Sequence, residues 1–257
     1  MRRVLVTEDI HPRGMEILMA EANIEIVRVK NIEPETLRMA VGDVDAILVR
    51  SAIFPADILQ EARRLKIVSR HGVGCDNIDV DHLSARGIPV AIASGSNALS
   101  VAEHTLGLML ATARDLVNQD TMVKKGCWTD RNKFRAVDLR GAKVVIVGFG
   151  RTGRKVAPLC KALGMEVVVA DIALDIELAA KMDCRGVLDF RLELGDADFL
   201  TLHVPLNDST RHIVSTNELA AMKHGGIIIN CARGGVVNNS ALFKAIESGH
   251  IRAAGVD

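Results

Sequence analysis

The sequence has no net charge to offer a partner, since its 32 lysines and arginines balance 32 aspartates and glutamates. No strong overall field is available to hold nucleic acid or an anionic membrane, so neither is expected as a partner. The five cysteines, Cys75, Cys127, Cys160, Cys184 and Cys231, are scattered and lack CxxC spacing. That set argues against a disulfide framework and for reduced thiols in a cytoplasmic setting, each packing rather than reacting. Metal-ligand spacing of the HExxH or Cys-His kind is missing, so no metal is expected. The longest apolar stretch, around Leu106 to Ala113, is interrupted by Thr112 and falls short of a membrane span. The opening Met1-Arg-Arg-Val-Leu-Val-Thr-Glu-Asp9 reaches acidic residues too soon for a signal peptide and reads as a first strand. No longer-period repeat or low-complexity tract is apparent.

What is present is an ordinary globular composition, 49% hydrophobic and 25% charged over 257 residues, enough for two domains with their own cores. Apolar strand candidates recur at 4–6, 24–27, 46–49, 67–69 and 89–92, with helical patterns between most of them. A second series follows at 144–147, 167–170, 227–230 and 253–256, with 199–202 and a weak candidate near 186–188. This alternation predicts an α/β protein of two Rossmann/flavodoxin-like domains with parallel sheets, divided as 1–98 and 99–257. Ser100 and Glu103 have the spacing of a capping box, predicting one long helix from there to about Lys125. Its first half is apolar nearly all round, which predicts a domain junction or a dimer contact. His104, inside it, is expected to be a satisfied core or interface group.

The most informative stretch is Lys143-Val-Val-Ile-Val-Gly148-Phe-Gly150-Arg-Thr-Gly153, followed by Glu166-Val-Val-Val-Ala-Asp171. Val144 to Val147 suit a strand buried on both faces, and the glycines begin where it ends. Gly148 permits the tight turn, Gly150 lets a pyrophosphate approach the backbone, and Gly153 allows close helix packing. The helix from Arg151 to about Leu163 aims its amides and positive dipole end at the phosphates. Asp171, at the end of the next strand, can accept from both adenosine ribose hydroxyls and repels a 2′-phosphate, so NAD rather than NADP is expected.

Other candidates also stand at strand ends. Ser69-Arg70-His71-Gly72-Val73-Gly74-Cys75-Asp76-Asn77 places glycines where amides can form an anion nest fit for a carboxylate, or simply a glycine turn. Arg50, beside Ser51, supplies a second cation near the same edge, and His71 is the histidine best placed for substrate contact. Arg233, just past the 227–230 strand, can hold an α-keto acid by carboxylate and carbonyl together; a solvated loop arginine is the plainer alternative. His203 ends the 199–202 strand and can approach the adenosine end of a cofactor or serve structure alone. Arg131, Lys133 and Arg135 near Trp128 read as a solvated basic face, with reach to a neighbouring subunit's ligand as the alternative.

These motifs resemble the NAD-dependent D-2-hydroxyacid dehydrogenases, most closely the D-3-phosphoglycerate dehydrogenase-like branch. The resemblance is carried by Arg50-Ser51, Arg70 to Asn77, Asn97 to His104, Gly148 to Asp171, His203-Val-Pro-Leu206 with Thr210, and Asn230-Cys-Ala-Arg233-Gly234. It implies a first domain that binds substrate and a second that binds NAD, with hydride moving between nicotinamide C4 and the C2 carbon of a 2-hydroxy or 2-keto acid. It further implies that Val73, Gly74 and Asn97 hold the substrate carboxylate and that Arg233 is the catalytic arginine. Arg50, Ser51, Arg70 and His71 fall at substrate positions, Arg50 and Arg70 resembling those that meet a substrate phosphate. Gly148, Gly150, Arg151, Thr152, Gly153, Asp171, His203, Val204, Pro205, Thr210, Cys231, Ala232 and Asp257 fall at cofactor positions. The family's catalytic histidine and its paired glutamate are expected downstream of Asp257, together with the segment that completes the substrate domain. The expected activity is oxidation of a D-2-hydroxy acid such as 3-phosphoglycerate, by a homodimer. Hydroxypyruvate or glyoxylate reduction is the same-class alternative, and a non-catalytic NAD-sensing interaction protein the different-class one.

Overall fold

The computed structural model describes residues 1–134 and 136–257, so Arg135 of the basic-face expectation lies outside the described residues. Contacts divide the chain into two compact units, Met1–Asn97 and Ala98–Asp257. In the first unit, strands β1 (Arg2–Val6), β2 (Ile24–Arg28), β3 (Ala46–Val49), β4 (Ile67–Arg70) and β5 (Val90–Ile92) alternate with helices α1 (Pro12–Met19), α2 (Pro34–Ala40), α3 (Ala56–Leu59) and α4 (Val80–Ala85). All strand pairs are parallel and the order is β2-β1-β3-β4-β5, the flavodoxin-like arrangement with its reversal between β1 and β3.

The second unit opens with helices α5 (Ala98–Ala113) and α6 (Leu116–Lys124). Its strands are β6 (Lys143–Val147), β7 (Glu166–Ala170), β8 (Arg185–Val187), β9 (Phe199–Leu202), β10 (Gly226–Asn230) and β11 (Ile251–Val256). Helices α7 (Gly153–Ala162), α8 (Ile176–Lys181), α9 (Thr216–Ala221) and α10 (Asn239–Glu247) complete it. The parallel order β11-β10-β9-β6-β7-β8 is that of a dinucleotide-binding sheet, reversing between β6 and β9. Its central strands β6, β7, β9 and β10 are mostly apolar runs because both faces are covered. Val144, Ile146, Val167, Val169, Ile227 and Ile229 enter one core, while Val145, Val147, Val168, Ala170 and Ile228 enter the other.

The single long helix predicted from Ser100 is instead two helices. Asp115 takes a left-handed conformation, φ 55°, between α5 and α6, a geometry open to aspartate that breaks the helical hydrogen-bond ladder. The capping box expected at Ser100 and Glu103 is also displaced, because α5 starts at Ala98 and both residues lie within it. The same pattern does cap α9, where Glu218 Oε2 accepts from the Ser215 amide at 3.0 Å. On α5, Ala102, Thr105, Met109 and Ala113 are buried, while Leu99, Leu110 and His104 are exposed, so His104 is not a core group of its unit.

At the amino-terminal end of β6, the Lys143 ammonium is buried between Glu193 Oε2, at 2.7 Å, and Asp196. Arg185 closes the cluster with two hydrogen bonds to Glu193, at 2.7 and 2.5 Å. The Arg185 bonds foremost, helped by Lys143 and opposed by burial, take the Glu193 carboxyl from 4.5 down to about 2. A folded-state value below the unfolded one contributes stability that is full above about 4.5 and is lost as pH falls toward about 2. In that window the melting temperature of Glu193→Gln is expected to fall less steeply with acid than that of the wild type; parallel slopes in melting curves overturn this assignment.

Candidate functional site

In the second unit, register collects the expected cofactor residues on one edge. Val147 pairs with Ala170 and with Leu202, and Asn230 with Leu202 and Val256, so Gly148, Asp171, His203, Cys231 and Asp257 all follow strand ends at a common level. Gly148 has φ 97°, and a Cβ there would lie 2.6 Å from the His203 carbonyl oxygen and 3.1 Å from Val204 Cγ1, so the turn admits only glycine. At Gly150 nothing stands within 4 Å of where a Cβ would be, which leaves the backbone open to a pyrophosphate. Gly153 begins α7 against the Gly148 carbonyl, too close for any side chain.

The amides of Arg151 and Thr152 find no backbone acceptor among the described residues, as at a helix start able to receive an anion. Exposed Arg151 stands beside them. Asp171 is held by both oxygens: Oδ2 accepts from the Phe149 amide at 2.8 Å and Oδ1 from the Ala173 amide at 3.0 Å. The acid and the glycine turn are thus one rigid assembly, and the residues present fit a dinucleotide. The His203 ring has Nε2 at 3.0 Å from Thr201 Oγ1, and its buried Nδ1 meets no partner among the described residues. Burial pushes its pKa down to about 4, so the ring is neutral at physiological pH. Past exposed Pro205, Thr210 Oγ1 donates to the Pro205 carbonyl at 2.6 Å and closes that loop.

Arg233 follows β10 on the same edge, its Nη1 donating to the Ala232 carbonyl at 2.8 Å. Asn230, buried at 3% exposure, fixes this loop, a role that the sequence reading did not assign. Its Oδ1 accepts from the Ala232 amide at 3.1 Å, its Nδ2 donates to the Arg233 carbonyl at 3.0 Å, and its own carbonyl accepts from the Asp257 amide at 3.1 Å. One side chain therefore orients the backbone beside both Arg233 and the end of β11.

In the first unit, Arg50 and Ser51 follow β3 and His71 follows β4, all exposed. His71 donates its amide to the Val49 carbonyl at 2.8 Å. Arg70 turns back on its own loop: Nε donates to Asn77 Oδ1 at 3.2 Å and Nη1 to the His71 carbonyl at 2.5 Å, with the guanidinium over Gly72 where any Cβ would collide. Asn77 in turn donates to the Ala52 carbonyl at 2.7 Å, tying the loops after β3 and β4 together. Val73 and Gly74 are partly buried in this turn, and Asn97 is exposed at the end of the unit. Arg50 has no side-chain hydrogen bond or ion pair among the described residues. The sequence reading also missed Glu8, whose carboxylate accepts from the amides of Arg50, Ser51 and Ala52.

Among the described residues no group of three or more potential ligands is placed to hold a metal, and no helix is long and apolar enough to cross a membrane. Cys160, Cys184 and Cys231 are buried, with the Cys160 thiol pushed up to about 12 by burial. Of the basic-face residues, Lys133 is exposed and paired with Asp130 at 2.9 Å.

Comparison with known proteins agrees with this geometry. Residues 106–257 match the model of the D-isomer specific 2-hydroxyacid dehydrogenase NAD binding domain. The chain is 39% identical over its whole length to a D-3-phosphoglycerate dehydrogenase of Methanocaldococcus jannaschii, covering 49% of that protein. It is 36% identical to a hydroxypyruvate reductase of Thermotoga maritima, across 99% of this chain and 82% of that one. Its fold superposes on a D-lactate dehydrogenase from Aquifex aeolicus, solved with NAD and lactic acid, with a TM-score of 0.89 and 27% identity across 99% of this chain and 76% of that one. The chain spans about half the length of the phosphoglycerate dehydrogenases that it matches. The glycine turn with its acid, the strand order and these likenesses agree: the chain belongs to the D-isomer-specific 2-hydroxyacid dehydrogenase family.

Proposed function

We propose that the protein interconverts a D-2-hydroxy acid and its 2-keto acid with NAD as hydride carrier, the second unit binding the dinucleotide and the first the organic acid. The observation that carries this reading is the Asp171 carboxylate locked to the Phe149 amide of the glycine turn. When bound, the nicotinamide supplies the hydride-accepting carbon. The chain's own groups bind and orient: Gly150, Arg151 and Thr152 face the pyrophosphate, Asp171 the ribose hydroxyls, and Asp257 the carboxamide. His203 with Val204 and Pro205, Thr210, and Cys231 with Ala232 line the same edge. In the second unit Arg233 offers a fork for a carboxylate and the C2 carbonyl; in the first, Val73, Gly74 and Asn97 are the carboxylate-binding candidates.

The test is NADH formation by the full-length protein on D-2-hydroxy acids, with NAD affinity measured alongside. Absence of both overturns the reading, whereas NAD binding without turnover favours an NAD-sensing role. Asp171→Ala is expected to weaken NAD about 10–10²-fold, the scale of lost hydrogen bonds to a charged group, and to leave NADP affinity equal or better. Unchanged NAD affinity removes Asp171 from this role.

Between substrates, exposed Arg50 supports a phosphorylated acid such as 3-phosphoglycerate. A specific observation supports the unphosphorylated alternative, hydroxypyruvate or glyoxylate: the Arg70 guanidinium is engaged by Asn77 and His71. Turnover of phosphohydroxypyruvate against hydroxypyruvate separates them. Exposed Leu99, Leu110, Leu116 and Val117 on α5 and α6 support a homodimer, tested by sedimentation, and the scattered cysteines without CxxC spacing support a cytoplasmic setting.

A further inference from the structure

Glu8 lies just past β1, where the strand order of the first unit reverses between β1 and β3. Open sheets of this order take their ligands at such a reversal, where loop amides converge into an anion nest. Here the convergent donors already meet a carboxylate of the chain itself. Oε2 accepts from the amides of Arg50 at 3.0 Å, Ser51 at 2.9 Å and Ala52 at 3.1 Å, and Oε1 accepts from the Ser51 amide at 2.8 Å. Ser51 Oγ donates to Oε1, and Thr7 Oγ1 to Oε2 at 2.9 Å. Partial burial opposes the charge, yet the bonds from Ser51 and Ala52 outweigh it and take the carboxyl down to about 2, so the group is anionic at any working pH.

We propose that Glu8 is a positioning residue for recognition of the organic acid. It fills the nest with an internal anion, fixes the turn from Arg50 to Ala52, and presents the Arg50 guanidinium to the substrate while barring the substrate's own anion from the nest. The role rests on the dehydrogenase reading above. It follows from chemistry: three amides and two hydroxyls aimed at one point would otherwise capture a carboxylate or phosphate, and the Arg50 guanidinium beside them has no hydrogen bond or ion pair among the described residues.

The experiment compares wild type, Glu8→Gln and Glu8→Asp in the full-length protein, with steady-state kinetics in the hydroxy acid and NAD affinity. Glutamine keeps the shape, loses the charge and turns an NH₂ group toward donors. It is expected to raise KM for the acid roughly tenfold, with kcat within about twofold and NAD affinity unchanged. Aspartate keeps the charge on a shorter arm and is expected to raise KM by a smaller factor. A merely structural role would lower the melting temperature and leave KM alone, so an unchanged KM in a folded Glu8→Gln overturns the proposal. Should Glu8→Gln fail to fold, Glu8→Asp decides, and a wild-type KM there overturns it equally. A wild-type protein without turnover on any 2-hydroxy acid overturns the dehydrogenase reading itself, an outcome distinct from altered or unaltered KM.

Discussion

Arg233→Ala in the full-length protein is expected to lower turnover about 10²–10³-fold, the scale of losing one electrostatic stabiliser of a developing oxyanion, while NAD affinity stays within about twofold. The guanidinium offers a planar fork that can grip a carboxylate oxygen and a carbonyl oxygen together, so its contribution grows as negative charge develops on the carbonyl. Arg233→Lys keeps a charge but no fork and is expected to recover only part of the loss. The loop is held independently of the arginine side chain, by the Asn230 contacts to the backbone of Ala232 and Arg233. Turnover within a few fold of wild type in Arg233→Ala would remove Arg233 from catalysis, and a parallel collapse of NAD affinity would make its role structural.

The second large effect is expected at Gly153. Its α-carbon packs onto the Gly148 carbonyl, and the neighbouring strand places Ile146 Cγ2 within 3.4 Å of any added Cβ. Neither neighbour is the far end of a flexible chain, so an alanine must push α7 off β6. Overpacking of this kind costs about 1–3 kcal/mol or more, and a protein of this size loses about 2–4 °C of melting temperature per kcal/mol. Gly153→Ala is therefore expected to lower the melting temperature by several degrees, roughly 6–12 °C for a cost near 3 kcal/mol, and to abolish NAD binding by displacing the helix start. At Gly150, where the added methyl meets only open space, the same substitution is expected to spare the fold and weaken NAD alone. Equal melting temperatures for wild type and Gly153→Ala contradict the packing argument.

The strands were legible because parallel strands covered on both faces are written as unbroken apolar, β-branched runs. The 199–202 and 46–49 expectations coincide with β9 and β3, and even the weak 186–188 candidate marks β8, one residue out. Asp171 was legible because the glycine turn, helix and strand set its place in sequence. The split between α5 and α6 was not, since no glycine or proline marks Arg114-Asp115 and the left-handed turn there belongs to an aspartate. Ser100-Val-Ala-Glu103 and Ser215-Thr-Asn-Glu218 carry one pattern, but only the second stands where a helix begins. Asn97, immediately before α5, is a residue type favoured at helix starts and was the better signal. The contacts of Glu8 escaped because they join residues 42 to 44 positions apart, a distance that local pattern does not span. Asn230 escaped for the opposite reason, its partners being so near that an ordinary loop residue looked sufficient.

A parallel sheet also sorts its turns by rim. The chain reverses before β7, β8, β10 and β11 at Gly164, Asp183, Gly225 and Gly249, all with positive φ, on the side away from the dinucleotide turn. A strand the length of β7, five residues, separates the two rims by about 16 Å at the usual rise. Fluorophores, surface tethers or the new termini of a circular permutant placed at the far rim would therefore stand clear of the glycine turn from Gly148 to Gly153.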